Sequence, residues 1–341
     1  MNKNVFKIGD LEFKTINLKD DEYDPRDYKT EDFIFRSSAT DELLLNKKYY
    51  ITPKRVPIYN QGQTGMCGGF TLSSAMATMN YIERGEYERY SPGLIYAMRE
   101  KDDWQGEGIT PREIMKMAKQ YGTCSNDDFP YLGSYDELKA KLDKRMDFLL
   151  PKAKENAIGS YYNIKKDDEL NIKRSIVENG VVIVAWYVYS SVSKIGDDGI
   201  IPMVDLENEK FYGGHFSYLV GWETIDGILY WILANSWGTE VGDKGHYYMK
   251  HEYNAIATIY GVTDKPFISN NISVMLRADD NSMYIRKGEE WETIEMDTKP
   301  IIDENDRMLL PIRWVCEQFG LQVDWNGNAK LVTVSNYDIK E

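Results

Sequence analysis

The pattern of apolar and polar positions changes twice along the chain. Between about residues 45 and 150, apolar residues recur at helical spacing, and from residue 160 onwards most apolar runs are short and rich in β-branched and aromatic residues. The predicted helices include "SPGLIYAMREK", "TPREIMKMAKQYG" and "SYDELKAKLDKRMDFLL", and the predicted strands are "VVIVAWYVY", "HFSYLVGW", "ILYWILANSW" and "HYYMK". Because helices precede strands instead of alternating with them, the pattern predicts an α+β fold.

A second change, near residues 264–272, marks a small C-terminal domain. Its pattern predicts short strands, one helix in "LPIRWVCEQFG" and a hairpin in "LQVDWNGNAKLVTV", where Asn326-Gly327 is typical of a two-residue turn. We therefore expect three parts: an N-terminal arm at 1–45, a main domain at 46–265 and a small α+β domain at 266–341.

Charge and cysteine content narrow the class of protein. The 341 residues carry 55 acidic and 41 basic side chains, a net charge of −14, which disfavours nucleic acid and anionic membranes as partners. No apolar run reaches signal-peptide or membrane-spanning length, so we expect neither export by a signal peptide nor membrane insertion. Cys67, Cys124 and Cys316 are too widely spaced for a disulfide framework or a zinc site, which favours a reducing compartment.

Cys67 is the first candidate catalytic residue. It lies in "NQGQTGMCGGFTLSSAM", after two glycines and at the start of a helical pattern. A lone cysteine is usually a small buried apolar residue. At a helix N-terminus, however, free backbone N–H groups and the helix dipole favour the thiolate, which makes Cys67 a candidate nucleophile.

A nucleophilic thiol needs a base and a group that orients the base. Of the three histidines, His215 lies in "GGH" before an apolar strand, 148 positions after Cys67, within the range of about 130 to 150 typical of a papain-type pair. His246 and His251 lie on a strand and at its exit, where a structural role is expected. Asn235 follows in "NSWG", twenty residues after His215.

These motifs resemble the papain-like cysteine peptidases, of bacterial or phage type, over about residues 22–262. The resemblance implies a fold with a helical lobe followed by a β-barrel lobe, and hydrolysis of peptide bonds through a thioester on Cys67. It makes His215 the general base and acid, Asn235 the residue that orients it, and Gln61 an oxyanion donor. Trp237 corresponds to the tryptophan that shields the Asn–His hydrogen bond. Pairing with an imidazolium is expected to lower the Cys67 pKa from about 8.5 towards 3 to 4.

The chain departs from the family pattern beside the nucleophile. Gly68 stands where the family usually has tryptophan or tyrosine, which predicts a more open wall, and Thr64 replaces a cysteine. By the same resemblance, Glu107-Gly108 lines the cleft, and Gly68, Gly214 and Trp237 belong with it to the substrate-binding set.

The N-terminal arm resembles the short segment of bacterial members, and the long helical inhibitory pro-segment of lysosomal relatives is absent from it. Two roles are open: a belt packed on the surface, which we favour, and a segment that crosses the cleft and blocks it.

The C-terminal domain resembles the domain named after the N-terminus of copper amine oxidases, over about residues 272–336. The resemblance rests on Leu310-Pro311-Ile312-Arg313, Gly320 and Trp325-Asn326-Gly327. Copper favours imidazole ligands and no histidine lies beyond His251, so we expect no metal or cofactor and interpret the domain as an interaction module.

Three functions are compatible with these motifs. The first is a cysteine endopeptidase acting on proteins or peptides. The second is a non-catalytic papain-fold component of a phage particle or cell-surface complex, and the third is acyl transfer or cleavage of peptidoglycan cross-links by the same residues. We expect a cytoplasmic or phage-particle location.

Overall fold

The computed structural model describes ten stretches of the chain: residues 4–21, 43–52, 54–99, 108–131, 134–263, 272–287, 290–304, 307–318, 322–326 and 331–335. They divide into two compact units, one formed by the described residues up to 263 and the other by those from 272 onwards. Gly108 is therefore described, whereas Glu107 lies outside the described residues.

Within the described stretches, the first unit has five α-helices of six or more residues, in the order that the sequence predicts. They are α1 (Cys67–Arg84), α2 (Pro92–Ala97), α3 (Pro111–Gln120), α4 (Tyr135–Lys154) and α5 (Glu169–Asn179). Capping explains where two of them begin. The side chains of Thr110 and Ser134 each accept a hydrogen bond from the backbone N–H three residues later, and the carboxylates of Glu113 and Glu137 accept one from the backbone N–H of the cap residue.

The strands of the first unit form one large sheet and two small N-terminal ladders. In chain order the strands are β1 (Val5–Ile8), β2 (Leu11–Lys14), β3 (Asn17–Leu18), β4 (Lys48–Tyr50), β5 (Gly108–Ile109), β6 (Ser160–Ile164), β7 (Val182–Tyr189), β8 (Phe211–Ile225), β9 (Ile228–Ala234), β10 (His246–Lys250) and β11 (Ile256–Thr263). The large sheet has the order β10-β9-β8-β7-β11-β6, with β4 added on β8, and each of its pairs is antiparallel. Helices α1–α4 precede strands β6–β11, and the large sheet is antiparallel, which confirms the predicted α+β class.

Helix α1 packs directly against β8. The hydroxyl of Thr71 donates to the backbone carbonyl of Phe216 at 2.9 Å, and both residues are buried. On its other side α1 lies close to α2, since a Cβ on Gly69 would come within 2.5 Å of the Pro92 carbonyl oxygen. The start of α1 is thus fixed between the sheet and a second helix.

The second unit is a small α+β structure. It contains β12 (Ile272–Leu276), β13 (Ser282–Lys287), β14 (Glu290–Glu295), β15 (Ile301–Ile302), β16 (Met308–Leu309), α6 (Ile312–Gln318), β17 (Gln322–Asn326) and β18 (Leu331–Ser335). Met283, Ile285 and Met296 form its buried core. The predicted C-terminal hairpin is present, but the two-residue turn is wrong: Asn326 pairs with Leu331, which leaves four residues between the strands.

No helix within the described stretches is both long and apolar enough to cross a membrane.

Candidate active site

Cys67 is the first residue of α1, as the sequence predicts. Its side chain is fully buried, and its thiol group forms a hydrogen bond with the backbone of Phe216, the residue after His215 on β8. The contact between α1 and β8 therefore brings the nucleophile candidate to the residue that follows the base candidate on its strand, although 148 positions separate Cys67 and His215 in the chain.

His215 lies on β8, and its imidazole makes one hydrogen bond and two aromatic contacts. Its Nε2 is 2.6 Å from the Oδ1 of Asn235, which follows the last residue of β9. The Trp237 ring lies with its centroid 4.4 Å from that of the imidazole, and Trp186 meets the imidazole edge-on at 5.6 Å. Both tryptophans are buried, so water is kept away from the His215–Asn235 hydrogen bond.

Gln61 is joined to the same site through Ser236. Its Oε1 accepts a hydrogen bond of 2.6 Å from the Ser236 hydroxyl, which orients the amide. The Nε2 group donates to the carbonyl oxygens of Thr64, at 2.8 Å, and Lys14, at 3.3 Å. The predicted oxyanion donor thus already binds a backbone carbonyl of the chain itself.

Burial changes the acid–base state of the pair. It raises the pKa of the Cys67 thiol to about 11, against the opposing effect of backbone hydrogen bonds with Phe216 and Gly68. It also lowers the pKa of His215 to about 4, which the hydrogen bond to Asn235 offsets only in part. Near neutral pH both groups are uncharged in this form, in contrast to the thiolate that the helix N-terminus and an imidazolium were expected to stabilise.

Residues 4–21, here called the cover segment, pack against the residues that surround this pair. Strands β1 and β2 form a hairpin whose Phe6 and Phe13 are buried against Trp237, at ring-centroid distances of 5.1 Å and 5.5 Å. The hairpin also brings the Lys14 carbonyl to Gln61.

After the hairpin, the cover segment pairs with residues predicted to bind substrate. Ile16 and Gly214 exchange two backbone hydrogen bonds, of 3.0 Å and 2.8 Å, and β3 pairs in parallel with β5 at Gly108. The Asp21 carboxylate accepts from the backbone N–H of Arg112 and from the Tyr260 hydroxyl. Residues 4–21 therefore lie across the predicted site, and a belt on the surface alone does not describe them.

The space beside Gly68 is filled, which corrects the expectation of an open wall. A Cβ on Gly68 would come within 2.2 Å of the Ile114 Cδ1 atom and 3.6 Å of the Phe216 ring. Ile114, on α3, occupies the volume that a larger side chain at position 68 would need.

Two serines of the site have no signal of their own in the sequence. Ser217 and Ser236 are buried and hydrogen-bonded to Asn235 and Gln61. Ser236 was visible only as part of "NSWG". Within the described stretches, no group of three or more His, Cys, Asp or Glu side chains is arranged to hold a metal ion.

Comparison with known families identifies two domains in the chain. The papain family cysteine proteases match residues 47–268, and the copper amine oxidase N-terminal domain matches residues 262–340. The first match covers well over half of the chain. The chain belongs to the papain family of cysteine proteases, and it carries a second domain of the copper amine oxidase N-terminal type.

Individual relatives are distant. Cysteine proteinase 2 of Entamoeba histolytica is 25% identical over 226 residues, which cover 65% of this chain and 67% of the relative. Cathepsin K of Gallus gallus is 26% identical over 211 residues, 59% of this chain and 55% of the relative. The chain thus spans only about half to two thirds of these curated relatives.

Solved structures show the same fold. Xylellain, a cysteine protease from Xylella fastidiosa, has a TM-score of 0.59 at 22% identity, over 73% of this chain and 95% of its own. The proCathepsin B S9 of Trypanosoma congolense has a TM-score of 0.58 at 20% identity, over 74% and 86%.

Proposed function

We propose that this papain-family cysteine peptidase is an endopeptidase in which Cys67 attacks the peptide carbonyl and His215 moves the protons. The observation that carries the proposal is the geometry of His215. Its Nε2 is bound to Asn235, while its Nδ1 has no hydrogen-bond partner within the described part of the chain, and Cys67 contacts the next residue of the same strand.

The chemical steps follow from these atoms. His215 Nδ1 takes the thiol proton, and the Cys67 sulfur bonds to the substrate carbonyl carbon, whose oxygen gains the negative charge. Gln61 Nε2 and the Cys67 backbone N–H stabilise that oxyanion; losing one such donor typically costs about 2.7 to 4 kcal/mol of transition-state stabilisation. The C–N bond then breaks as His215 protonates the leaving amine.

The second half of the cycle reverses these roles. Water attacks the thioester on Cys67 while His215 takes a proton from it, and the carbonyl again draws on Gln61. The C–S bond breaks, the acid product leaves and the thiol regains its proton. Attack by an amine in place of water would give acyl transfer, so both outcomes share the first half of the cycle.

We further propose that the cover segment keeps this peptidase inactive until it moves. A substrate needs the Gln61 amide and the backbone of Gly214, and both are bound to Lys14 and Ile16 of the chain itself. In the covered form the Cys67 thiol and the His215 imidazole are neutral, whereas access of water to the pair would favour the charged form.

The test compares two substitutions at neighbouring positions of the cover segment, each of which adds one negative charge. Ile16→Asp places a carboxylate where the side chain is 1% exposed, and this should expel the segment, while Asn17→Asp adds the same charge to an exposed position. We expect the first variant to react with an epoxide or iodoacetamide at Cys67 faster than at Cys124 or Cys316 in mild acid, and to cleave a labelled protein substrate. The second should behave like the unmodified chain.

His215→Ala in the Ile16→Asp chain is the matched control for catalysis. It should abolish cleavage and the selective labelling of Cys67. Peptide mass spectrometry reads the labelling at each cysteine. Equal labelling of the three cysteines in folded Ile16→Asp protein, without cleavage, would contradict the proposal.

One observation favours the second candidate function, a non-catalytic binding component. Cys67 is fully buried and its pKa is raised to about 11, which suits a structural cysteine as well as a covered nucleophile. The same experiment separates the two, because a component without catalysis would show no selective Cys67 reactivity after the cover segment is displaced.

For the C-terminal unit we propose attachment to a cell-surface or phage-particle partner. In support, it exposes large apolar side chains on β15, β16 and the start of α6: Ile301, Ile302, Met308, Leu309, Leu310 and Ile312. The three cysteines are free, which favours a cytoplasmic or phage-particle location. Retention of the full chain, but not of residues 1–265, on phage particles or cell envelopes would support attachment.

A further inference from the structure

The Asn235 side-chain oxygen accepts hydrogen bonds from three donors. His215 Nε2 lies 2.6 Å from Oδ1, the Ser236 backbone N–H 2.8 Å and the Ser217 hydroxyl 3.3 Å. The backbone N–H of Ser236 can only donate, so the shared atom is the carbonyl oxygen and not the amide nitrogen. A neutral His215 must then carry its proton on Nε2, which leaves Nδ1 free to accept one.

Ser217 has its own donor, and this fixes the direction of its hydrogen bond. Trp186 Nε1 lies 3.2 Å from Ser217 Oγ, and an indole N–H can only donate. The Ser217 oxygen therefore accepts from Trp186, and its single proton is available for Asn235. The result is a directed chain, Trp186 to Ser217 to Asn235, in which Trp186 and Ser217 are no more than 1% exposed.

The position of Ser217 connects this chain to the base. It lies two residues after His215 on β8, so the two side chains project from the same face of the strand and reach the same Asn235 oxygen. An apolar residue at position 217 would leave the Trp186 N–H buried without an acceptor and would remove one donor from Asn235.

We propose that Ser217 is a positioning residue of the active site. Through Trp186 and Asn235 it holds the Asn235 carbonyl towards His215 and keeps the neutral imidazole proton on Nε2. Its value for catalysis rests on the proposed peptidase function, but its effect on the His215 tautomer does not.

The test uses the full chain with ¹⁵N-labelled histidine. The chain has three histidines, so the ring nitrogens of His215 can be assigned by comparison with His215→Ala. We expect unmodified protein to show a protected Nε2–H on His215. Ser217→Val should lose this signal or mix in the Nδ1–H tautomer, and Ser217→Thr, which has nearly the same shape but restores the hydroxyl, should keep it. An unchanged Nε2–H signal in Ser217→Val would overturn the proposal.

Kinetics give a second readout in the Ile16→Asp chain. Ser217→Val should lower kcat about tenfold and leave KM within about twofold, because the substrate does not contact Ser217. Ser217→Thr should restore kcat, and in an Asn235→Ala background Ser217→Val should have no further effect. An equal loss of kcat with and without Asn235 would contradict action through that residue.

Two further outcomes remain decisive. If Ser217→Val does not fold, Ser217→Ala and Trp186→Phe take its place, and a folded variant with an unchanged His215 tautomer would overturn the proposal. If no chain cleaves peptide, the proposed function fails, while the NMR experiment still decides the role of Ser217.

Discussion

Removing one aromatic ring from the cover segment should uncover Cys67 without unfolding the protein. Phe13 is 2% exposed, and its ring contacts Phe6 and Trp237 at centroid distances of 5.7 Å and 5.5 Å. Phe13→Ala removes these contacts from the covered form only. A buried Phe→Ala change costs about 3 to 5 kcal/mol, which corresponds to a population of the open form roughly 100-fold to several thousand-fold higher.

Alkylation of the native protein measures that population. When closing is faster than alkylation, the rate at Cys67 equals the open fraction multiplied by the rate of a free thiol. Cys124 belongs to the same unit and is 1% exposed, so its labelling reports unfolding of the unit as a whole. We expect Phe13→Ala to accelerate labelling of Cys67 far more than that of Cys124.

Lys7→Ala is the matched control, since Lys7 lies on the same hairpin and is exposed. It should change neither rate. If Phe13→Ala accelerates Cys67 and Cys124 equally, the cover segment opens only when the whole unit unfolds, and the reasoning is refuted. A lower melting temperature with unchanged Cys67 labelling would refute it as well.

Three further predictions concern packing, pH and metal content. Gly68→Ala should destabilise the protein by about 1 to 3 kcal/mol because the added Cβ meets Ile114. Adding Ile114→Ala to this variant should recover part of that loss. If the two substitutions have additive effects in denaturant unfolding, the contact is contradicted. Burial lowers the pKa of His215 and His246 to about 4 each, so the unfolded chain, with histidine pKa values near 6.5, binds more protons between these pH values. The free energy of unfolding should therefore fall as the pH is lowered through this window, by up to about 1.4 kcal/mol per pH unit for each histidine. In urea titrations, His246→Gln should reduce the slope of the unfolding free energy against pH. An unchanged slope would argue against a neutral, buried His246. Elemental analysis of dialysed full-length protein should find no stoichiometric copper, and one copper per chain would contradict the argument from histidine content.

The sequence predicted the parts of the site that depend on local pattern. Cys67 begins a helix, His215 lies on a strand and Asn235 follows one, and each of these positions could be read from neighbouring glycines and apolar runs. The same holds for the order of helices and strands, since periodicity is a property of a short window.

What the sequence did not predict depends on contacts between distant residues. Nothing near Gly68 indicates that Ile114 fills the adjoining space, and nothing near Ser217 indicates the Trp186 indole. The protonation state of Cys67 depends on its burial in the folded chain, which outweighs the local effect of the helix N-terminus.

The contact between Ile16 and Gly214 has a consequence for biosynthesis. The cover segment leaves the ribosome well before its pairing partner, which is made 198 residues later, and Trp237 is made later still. Contacts at such separation form late, because loop closure must precede them. A nascent chain that stops before β8 offers residues 4–21 only their earlier partners Gln61, Gly108 and Arg112, and it also lacks His215. Gly214 and His215 are neighbours on β8, so the backbone partner of Ile16 and the base are synthesised together, and Trp237 then completes the surface on which the hairpin packs.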